Sequence, residues 1–197
     1  MRNRPVFISF CRIVLPALVV VFAAGCNKTT TPKPRAYFRI DFPEKEYQTF
    51  SGDCPFSFEY PVYGKIAVPD AMQAESCWYN IEFPAFKGKI HLTYKTVNNN
   101  LPVYTEDIRT LAYKHIIKAD DIIDEPFYYP EHKVYGIMYD IRGNTASAVS
   151  FFATDSIHNF LSGSLYFSVQ PNIESLSPVI RFFKEDIVHL IETLKWK

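Results

Sequence analysis

The chain has 197 residues with 21 basic and 21 acidic side chains, so its formal net charge is zero. A neutral chain lacks the basic footprint of nucleic-acid-binding proteins, and this class is therefore excluded. Hydrophobic residues make up 48% and aromatic residues 16% of the sequence, which excludes a disordered chain and predicts a folded core.

The N-terminus has the order of charge and hydrophobicity that is typical of an export signal. Three arginines accompany an apolar run at Ile13–Ala24. This run is shorter than the roughly 20 residues that a membrane-spanning helix requires. Small residues then precede Cys26, as in a bacterial lipobox, although Ala23 stands where Leu is usual. We predict a cleaved signal peptide at residues 1–25 and lipidation of Cys26; the alternative is an ordinary cleaved signal followed by a chance cysteine.

The residues after Cys26 are polar and contain prolines, which predicts a flexible tether at residues 26–34. The eight residues after Cys26 reach at most about 26 Å when they are fully extended. The remainder, residues 35–197, has the length of a single globular domain. With the three arginines of the signal removed, 18 basic residues remain against 21 acidic ones, so the exported protein is weakly acidic.

Two cysteines remain once Cys11 leaves with the signal and Cys26 is lipidated. Cys54 and Cys77 form an isolated pair, which in an oxidising periplasm predicts a disulfide. The alternatives are two buried free thiols or a metal site. A metal site is disfavoured because no cluster of histidines accompanies the pair in sequence.

Short aromatic runs with a period of two predict a first group of strands at Phe56–Tyr60, Tyr79–Phe83 and Ile90–Tyr94, with a hairpin connection at residues 84–88. A longer period then predicts an amphipathic helix that Thr105 caps. Its apolar stripe consists of Tyr104, Ile108, Leu111, Ala112, Ile116 and Ala119. A second group of strands is predicted around residues 122–129, 135–141, 149–151 and 165–169.

A C-terminal helix is predicted to begin with Ser177 as its N-cap and Pro178 as its first residue. Its apolar stripe extends from Val179 to Leu194, and its solvent side is predicted to carry Lys184, Glu185, Asp186 and Glu192. Two runs of hairpins with one helix between them and another at the end predict an α+β fold. Its sheet is mainly antiparallel and its principal helices are one mid-chain and one C-terminal.

The sequence offers few candidates for chemistry. No two of the five histidines have ligand spacing, and no hydrolase, metalloprotease or phosphate-binding motif is present; the histidines are His91, His115, His132, His158 and His189. Asp155, Ser156 and His158 suggest a nucleophile constellation, but a capped turn is favoured. The acidic cluster Asp120, Asp121, Asp124 and Glu125 lacks the spacing of a calcium loop. We therefore predict no catalytic residues, no metal site and no cofactor.

Two aromatic features have a functional interpretation. One is a group that could stack on sugars or on a partner protein, although strands favour aromatic residues in any case: Tyr128, Tyr129, Tyr135 and Tyr139. The other is the segment after the tether, where Arg35, Tyr37, Arg39 and Asp41 could contact a protein. An edge strand with its charges in water is the alternative for this segment.

The same segment carries a resemblance to a known family. The sequence TPKPRAYFRIDFPEKEY at Thr31–Tyr47 resembles the start of the mature domain in the gliding motility lipoprotein GldD family. The resemblance continues through CPFSFEYP, WYNIEFP and the C-terminal SPVIRFFKEDIVHLIETLKW. The closing strand and helix are also similar, as a fold only, to PsbP-type α/β sandwiches.

The family resemblance implies a component of the gliding machinery of Bacteroidetes, which is linked to type IX secretion. It implies no enzymatic activity. The first hypothesis is therefore a non-catalytic accessory lipoprotein in the periplasm that contacts other envelope proteins of gliding and type IX secretion, with either membrane as its anchor. A glycan- or peptidoglycan-binding lipoprotein is the alternative. An envelope hydrolase is the third hypothesis, for which no residues are nominated.

Overall fold

A computed structural model describes residues 39–69 and 77–197 of the chain. Within these residues the chain forms ten strands and two α-helices, joined in places by short 3-10 turns. The strands are β1 (Tyr47–Phe50), β2 (Phe56–Pro61), β3 (Lys65–Ala67), β4 (Trp78–Phe83), β5 (Gly88–Thr96), β6 (Ala119–Tyr129), β7 (Val134–Gly143), β8 (Ser147–Thr154), β9 (Asn159–Phe167) and β10 (Lys195–Trp196). The helices are α1 (Leu101–Tyr113) and α2 (Ile173–Thr193).

The strands form two sheets in which every described pair is antiparallel. The large sheet has the order β3-β4-β5-β9-β8-β7-β6, and the small sheet has the order β1-β2-β10. Short hairpins make most of the connections, and α1 follows β5. The predicted α+β class, with a mainly antiparallel sheet and two principal helices, is confirmed.

Alternation along the strands sends side chains to two separate cores. On one face of the large sheet, Ile90 and Leu92 of β5 join the main core, where α2 contributes Phe183 and Ile187. The small sheet contributes Phe56 and other residues to that same core. On the opposite face a smaller cluster forms beneath α1, with Ala112 of the helix, Tyr139 of β7 and Phe160 of β9 at its centre.

Helix α1 is shorter than predicted and begins earlier. It starts at Leu101, and Thr105 does not cap it, since the Thr105 hydroxyl donates to the carbonyl of Pro102 within the first turn (3.1 Å). Tyr104, Ile108 and Ala112 of the predicted stripe pack on the sheet, whereas Leu111 is 52% exposed. The helix ends at Tyr113, so the stripe does not continue to Ile116, which is 62% exposed. The prediction was wrong because it continued helical spacing into the 3-10 turn at Lys114–Ile117.

Helix α2 begins one turn before its predicted start. Asn172 is the N-cap, and its side-chain oxygen accepts a hydrogen bond from the backbone N–H of Glu174 (3.0 Å). Asn172 and Ser177 are both favoured N-cap residues, and the structure uses the earlier one. Pro178 therefore lies inside the helix, where its missing N–H removes one hydrogen bond without ending a helix that the buried stripe holds in place.

The predicted Cys54–Cys77 disulfide is present, with a Cα–Cα distance of 5.7 Å and a sequence separation of 23. Cys54 is buried next to β2, and its sulfur lies 3.3 Å from the Tyr79 hydroxyl of β4. The bridge thus joins the approach to β2 with the approach to β4. No helix in the described ranges is long and apolar enough to cross a membrane.

Candidate functional site

The first described residues pack against helix α2 before the chain enters β1. The Phe42 ring stacks on Phe182 with ring centroids 4.5 Å apart, and on Phe86 at 5.9 Å. Aromatic pairs at these distances stabilise a contact by about 0.5–1.5 kcal/mol beyond the area that they bury. This contact fixes the segment against the C-terminal helix, and we call the arrangement of Phe42, Lys45, Tyr47, Tyr63 and Asp186 the N-terminal junction.

A buried carboxylate lies at the centre of the N-terminal junction. Asp186 of α2 is 1% exposed. Its Oδ1 accepts hydrogen bonds from Lys45 Nζ (2.7 Å) and the Tyr47 hydroxyl (3.1 Å), and its Oδ2 accepts one from the Tyr63 hydroxyl (2.6 Å). A buried charge requires such partners, because an unpaired carboxylate in the interior is strongly disfavoured. The carboxylate is therefore satisfied by three donors from outside its own helix.

Through its ammonium, Lys45 makes four contacts that hold the same segment. Besides Asp186, its ammonium donates to the backbone carbonyl of Phe182 (2.6 Å) and lies 3.7 Å from the centroid of the Phe182 ring. Glu185 lies 3.5 Å away at the exposed edge of the junction. The lysine side chain is 26% exposed, so its charge is held largely away from water.

Sequence reasoning missed this junction, since Asp186 was predicted on the solvent side of α2. A signal for its burial was nevertheless present. Asp186 follows Phe183 by three residues and precedes Leu190 by four, which places it on the apolar face of the helix. Lys184, predicted on the solvent side as well, is half-buried, whereas Glu185 and Glu192 are exposed as predicted.

The two tyrosines of the junction remain protonated over a wide pH range. Burial raises the pKa of Tyr47 and of Tyr63, and the negative charge of Asp186 beside their hydroxyls raises both further. A tyrosine hydroxyl that points at a carboxylate acts as a donor, and ionisation would set two negative charges side by side. The junction therefore keeps both tyrosines neutral, with their hydroxyls as donors to Asp186.

A depression of about 370 Å³ adjoins the junction on the exposed side of α2. His189 stacks on Tyr47 with centroids 3.6 Å apart, and its Nε2 lies 2.7 Å from a carboxylate oxygen of Glu59. The depression is lined by Tyr47, Arg181, Lys184, Glu185, Val188, His189 and Glu192. Its charges have both signs, so the depression is not complementary to one simple ion.

Lys184 connects α2 to the edge of the large sheet. Its ammonium lies 2.7 Å from Glu125 of β6 and 3.0 Å from Asp140 of β7. Burial lowers the pKa of Lys184, but the hydrogen bonds to the two carboxylates outweigh this effect and the net shift is upward. The predicted acidic cluster is therefore divided: Glu125 pairs with α2, whereas Asp124 accepts a hydrogen bond from Tyr113 of α1 (3.2 Å).

Only part of the predicted contact segment lies in the described residues. Arg39 and Asp41 are 89% and 80% exposed and form an ion pair with each other (2.9 Å). Residues 39–46 form no strand, so the edge-strand alternative fails there. Arg35, Tyr37 and the predicted lipidation site Cys26 lie outside the described residues, as do the predicted signal and tether.

The predicted tyrosine platform does not assemble. Tyr139 is 1% exposed and lies in the cluster beneath α1, where burial and then the charge of Asp124 raise its pKa to about 12. Tyr128 and Tyr135 face each other across β6 and β7 with centroids 4.9 Å apart, and Tyr128 is exposed. Tyr129 points to the other face, towards Glu192 of α2. Only Tyr128 and Tyr135 therefore lie together: Tyr139 is buried beneath α1, and alternation along β6 sends Tyr129 to the other face.

The predicted turn at Asp155 is present. Its Oδ1 accepts hydrogen bonds from the backbone N–H groups of Ile157, His158 and Asn159 at 2.8–2.9 Å, so the carboxylate caps the turn and does not orient a histidine. In the part of the chain that the structure describes, no group of three or more His, Cys, Asp or Glu side chains is placed to hold a metal ion.

These features define a class: an antiparallel α+β domain whose N-terminal approach is fixed to its C-terminal helix by an aromatic stack and a buried ion pair. The chain belongs to the gliding motility lipoprotein GldD family, whose sequence model matches residues 27–196. Membership of a lipoprotein family associates the chain with the cell envelope.

The solution structure of cyanobacterial PsbP (CyanoP) from Synechocystis sp. PCC 6803 is similar to this chain. The TM-score is 0.47 at 10% sequence identity, and the match covers 79% of this chain and 95% of that protein. No functional argument follows from a similarity at this level. Comparison with curated proteins finds no match.

Proposed function

We propose that the protein is a membrane-anchored, non-catalytic accessory component of the bacterial gliding machinery and of the type IX secretion system linked to it. The single observation that carries this proposal is the family match across residues 27–196. Residues 1–25 are the cleaved signal, Cys26 is the lipidated residue, residues 26–34 are the tether, and residues 35–197 are the domain, which faces the periplasm.

The position of the domain follows from the length of the tether. A segment of eight residues after Cys26 extends at most about 26 Å, so the domain works close to the lipid surface. A partner that meets the protein there first encounters the segment that leads into the N-terminal junction. The exposed Arg39 and Asp41 stand just ahead of Phe42, the residue that fixes this segment to α2.

Two properties of this surface support a role in protein contacts. The N-terminal junction holds the backbone of this segment in place, so binding to a partner costs little conformational entropy. Its charges are exposed and of both signs, and exposed charges of this kind steer a specific partner into register. The depression on α2, which Tyr47 of the junction lines, adds further charges of both signs.

The first experiment is a clean deletion, scored together for colony spreading and for type IX cargo in the medium. Loss of both phenotypes supports a role in the shared machinery, and loss of spreading alone supports a role in motility. If spreading and secretion both remain normal, the proposed function is wrong.

The contact surface is tested by Arg35→Glu/Arg39→Glu in the chromosomal gene, with Lys133→Glu/Lys195→Glu as the matched control. Lys133 and Lys195 are exposed and lie elsewhere on the domain, so the control reverses the same number of charges. We expect reduced spreading only for the arginine variant, at an unchanged protein level. If the arginine variant spreads normally, this segment is not the contact surface, and the conclusion from the deletion is unaffected.

A further inference from the structure

The face of the large sheet that α1 covers only in part contains a groove of about 770 Å³. A volume of this size lies within the ~300–1,000 Å³ typical of small-molecule sites. Strands β4, β5 and β9 form its floor and α1 forms one wall; the side chains that matter most are Trp78, Lys89, His91, Lys95, Ser164 and Tyr166. The groove lies on the opposite side of the sheet from the N-terminal junction.

The floor of the groove is a row of hydrogen-bonding side chains. His91 of β5 stands in register between Asn80 of β4 and Ser164 of β9, and its Nδ1 is hydrogen-bonded to the Asn80 side-chain oxygen. Two residues further along β5 and on the same face, Thr93 is in register with Ser162 of β9. Neighbouring strands are about 4.8 Å apart, so these groups form a polar grid across three strands.

The polar grid is fixed in place from the neighbouring strand. The Ser164 hydroxyl lies 2.9 Å from that of Ser150 on β8, which in turn lies 3.4 Å from that of Ser147. Burial lowers the pKa of His91, and the charge of Lys89 lowers it further, so the ring is neutral at neutral pH. A neutral imidazole and a row of hydroxyls provide both donors and acceptors without bringing in a negative charge.

Positive charge is concentrated around this groove, although the chain as a whole is neutral. Lys89 and Lys95 of β5 and Lys114 after α1 line it, against the single aspartate Asp107. Lys89 and Lys95 are six residues apart on one strand, which separates them by about 20 Å. The groove therefore offers ammonium groups towards both ends and hydrogen-bonding groups between them, which fits an elongated anion with many hydroxyls.

Two aromatic side chains complete the groove. Trp78 of β4 and Tyr166 of β9 are both partly exposed and lie on either side of β5. Their flat apolar faces suit the C–H faces of sugar rings, whereas an extended peptide would gain little here. The floor strands are internal to the sheet order β3-β4-β5-β9-β8, so they have no free edge to which a peptide strand could add.

We propose that this groove binds an acidic oligosaccharide, with its carboxylates at Lys89 and Lys95 and its hydroxyls on the row of His91, Thr93 and Ser164 that lines the groove. The site is independent of the protein contacts proposed above, because it uses none of the residues of the N-terminal junction. It also differs from the tyrosine platform expected from the sequence, and it accounts for polar side chains that the fold itself does not require on this face.

The test is calorimetric titration of the full-length lipoprotein, held in a nonionic detergent without a sugar headgroup. The probe is hexagalacturonate, whose terminal carboxylates are far enough apart to reach both lysines, and maltohexaose is its uncharged counterpart. We expect hexagalacturonate to bind and maltohexaose to bind at least about tenfold more weakly. Trp78 emission should change on binding, measured in a Trp196→Phe background so that no other tryptophan contributes.

The variant Lys89→Gln/Lys95→Gln should weaken hexagalacturonate binding about tenfold, since it removes both end charges and leaves polar, slightly shorter side chains in their place. The matched control Lys133→Gln/Lys195→Gln removes two exposed charges elsewhere and should bind as the parent does. Absence of binding at millimolar hexagalacturonate, equal loss in both variants, or tighter binding of hexaglutamate than of hexagalacturonate would each overturn the proposal.

Discussion

Replacement of Lys45 by methionine tests how much the N-terminal junction contributes to stability. Methionine keeps an apolar stem of similar length, but it removes the ammonium that lies 2.7 Å from Asp186 and that also contacts the carbonyl and the ring of Phe182. The carboxylate is 1% exposed, so water does not replace the lost partner. It is left buried with its charge uncompensated.

The size of the effect follows from what remains around Asp186. Removal of one partner of a buried pair costs about 3–5 kcal/mol. Here the hydroxyls of Tyr47 and Tyr63 still donate to the carboxylate, at 3.1 and 2.6 Å, and the Lys45 side chain is 26% exposed in the parent. Both facts reduce the loss, and we expect Lys45→Met to lower the free energy of unfolding by about 2–3 kcal/mol.

Urea denaturation measures this loss, and a double-mutant cycle assigns it to the pair. Lys45→Met/Asp186→Asn removes both charges, so its loss should be smaller than the sum of the two single variants by about 2 kcal/mol. Arg39→Met is the matched control, because its ion pair with Asp41 is exposed and should contribute less than about 0.5 kcal/mol. The reasoning fails if Lys45→Met loses no more stability than Arg39→Met, or if the cycle is additive.

Three further predictions use the same unfolding assay. Reduction of the Cys54–Cys77 disulfide should lower the free energy of unfolding by about 3.4 kcal/mol, since it opens a loop with a separation of 23 residues; a loss below about 1 kcal/mol contradicts this. Gly136→Ala should lower the free energy of unfolding by about 2–3 kcal/mol, because a Cβ at this position overlaps the carbonyl oxygen of Phe152. An unchanged denaturation midpoint would show that the Phe152 backbone does not approach Gly136 so closely. Burial raises the pKa of Asp155, but the hydrogen bonds from the backbone outweigh burial, and the pKa lies below its ordinary value of 3.8. The stability that the Asp155 carboxylate confers is therefore present above pH 3.8 and is lost as the pH falls through the pKa of the folded state. The difference in stability between the parent and Asp155→Asn should therefore shrink from about pH 6 to about pH 3, and a constant difference counts against the capped turn.

The long strands could be predicted because their periodicity is local. Phe56, Phe58 and Tyr60 alternate with polar residues, and β2 lies at those positions. The strands β1, β3 and β10 have four, three and two residues, too few to show a period, and they form only because β2 and β4 already offer an edge to them. Tertiary context alone defines these strands.

The N-terminal junction and the groove are harder to predict, because their partners are far apart in sequence. Asp186 meets Lys45, Tyr47 and Tyr63 across 123 to 141 positions, and no local pattern encodes such a meeting. The groove likewise needs the register of β4, β5 and β9, which sets Asn80, His91 and Ser164 in one row. The sequence could indicate that His91 lies on a polar strand face, but not which side chains stand beside it.

The order of contacts along the N-terminal segment determines how the domain responds to mechanical tension. Phe42 and Lys45 precede Tyr47, where β1 begins, so a pull on the upstream chain reaches α2 before it reaches the β1–β2 ladder. Without the junction, the same pull would act on the end of β1 and could peel its hydrogen bonds from β2 one at a time. The junction instead passes the tension to a long helix packed on the main core, whose end continues into β10 on the other side of β2. The resistance of the domain to tension then depends on the Phe42–Phe182 stack and the Lys45–Asp186 ion pair. Both must break before the force reaches the hydrogen bonds between β1 and β2.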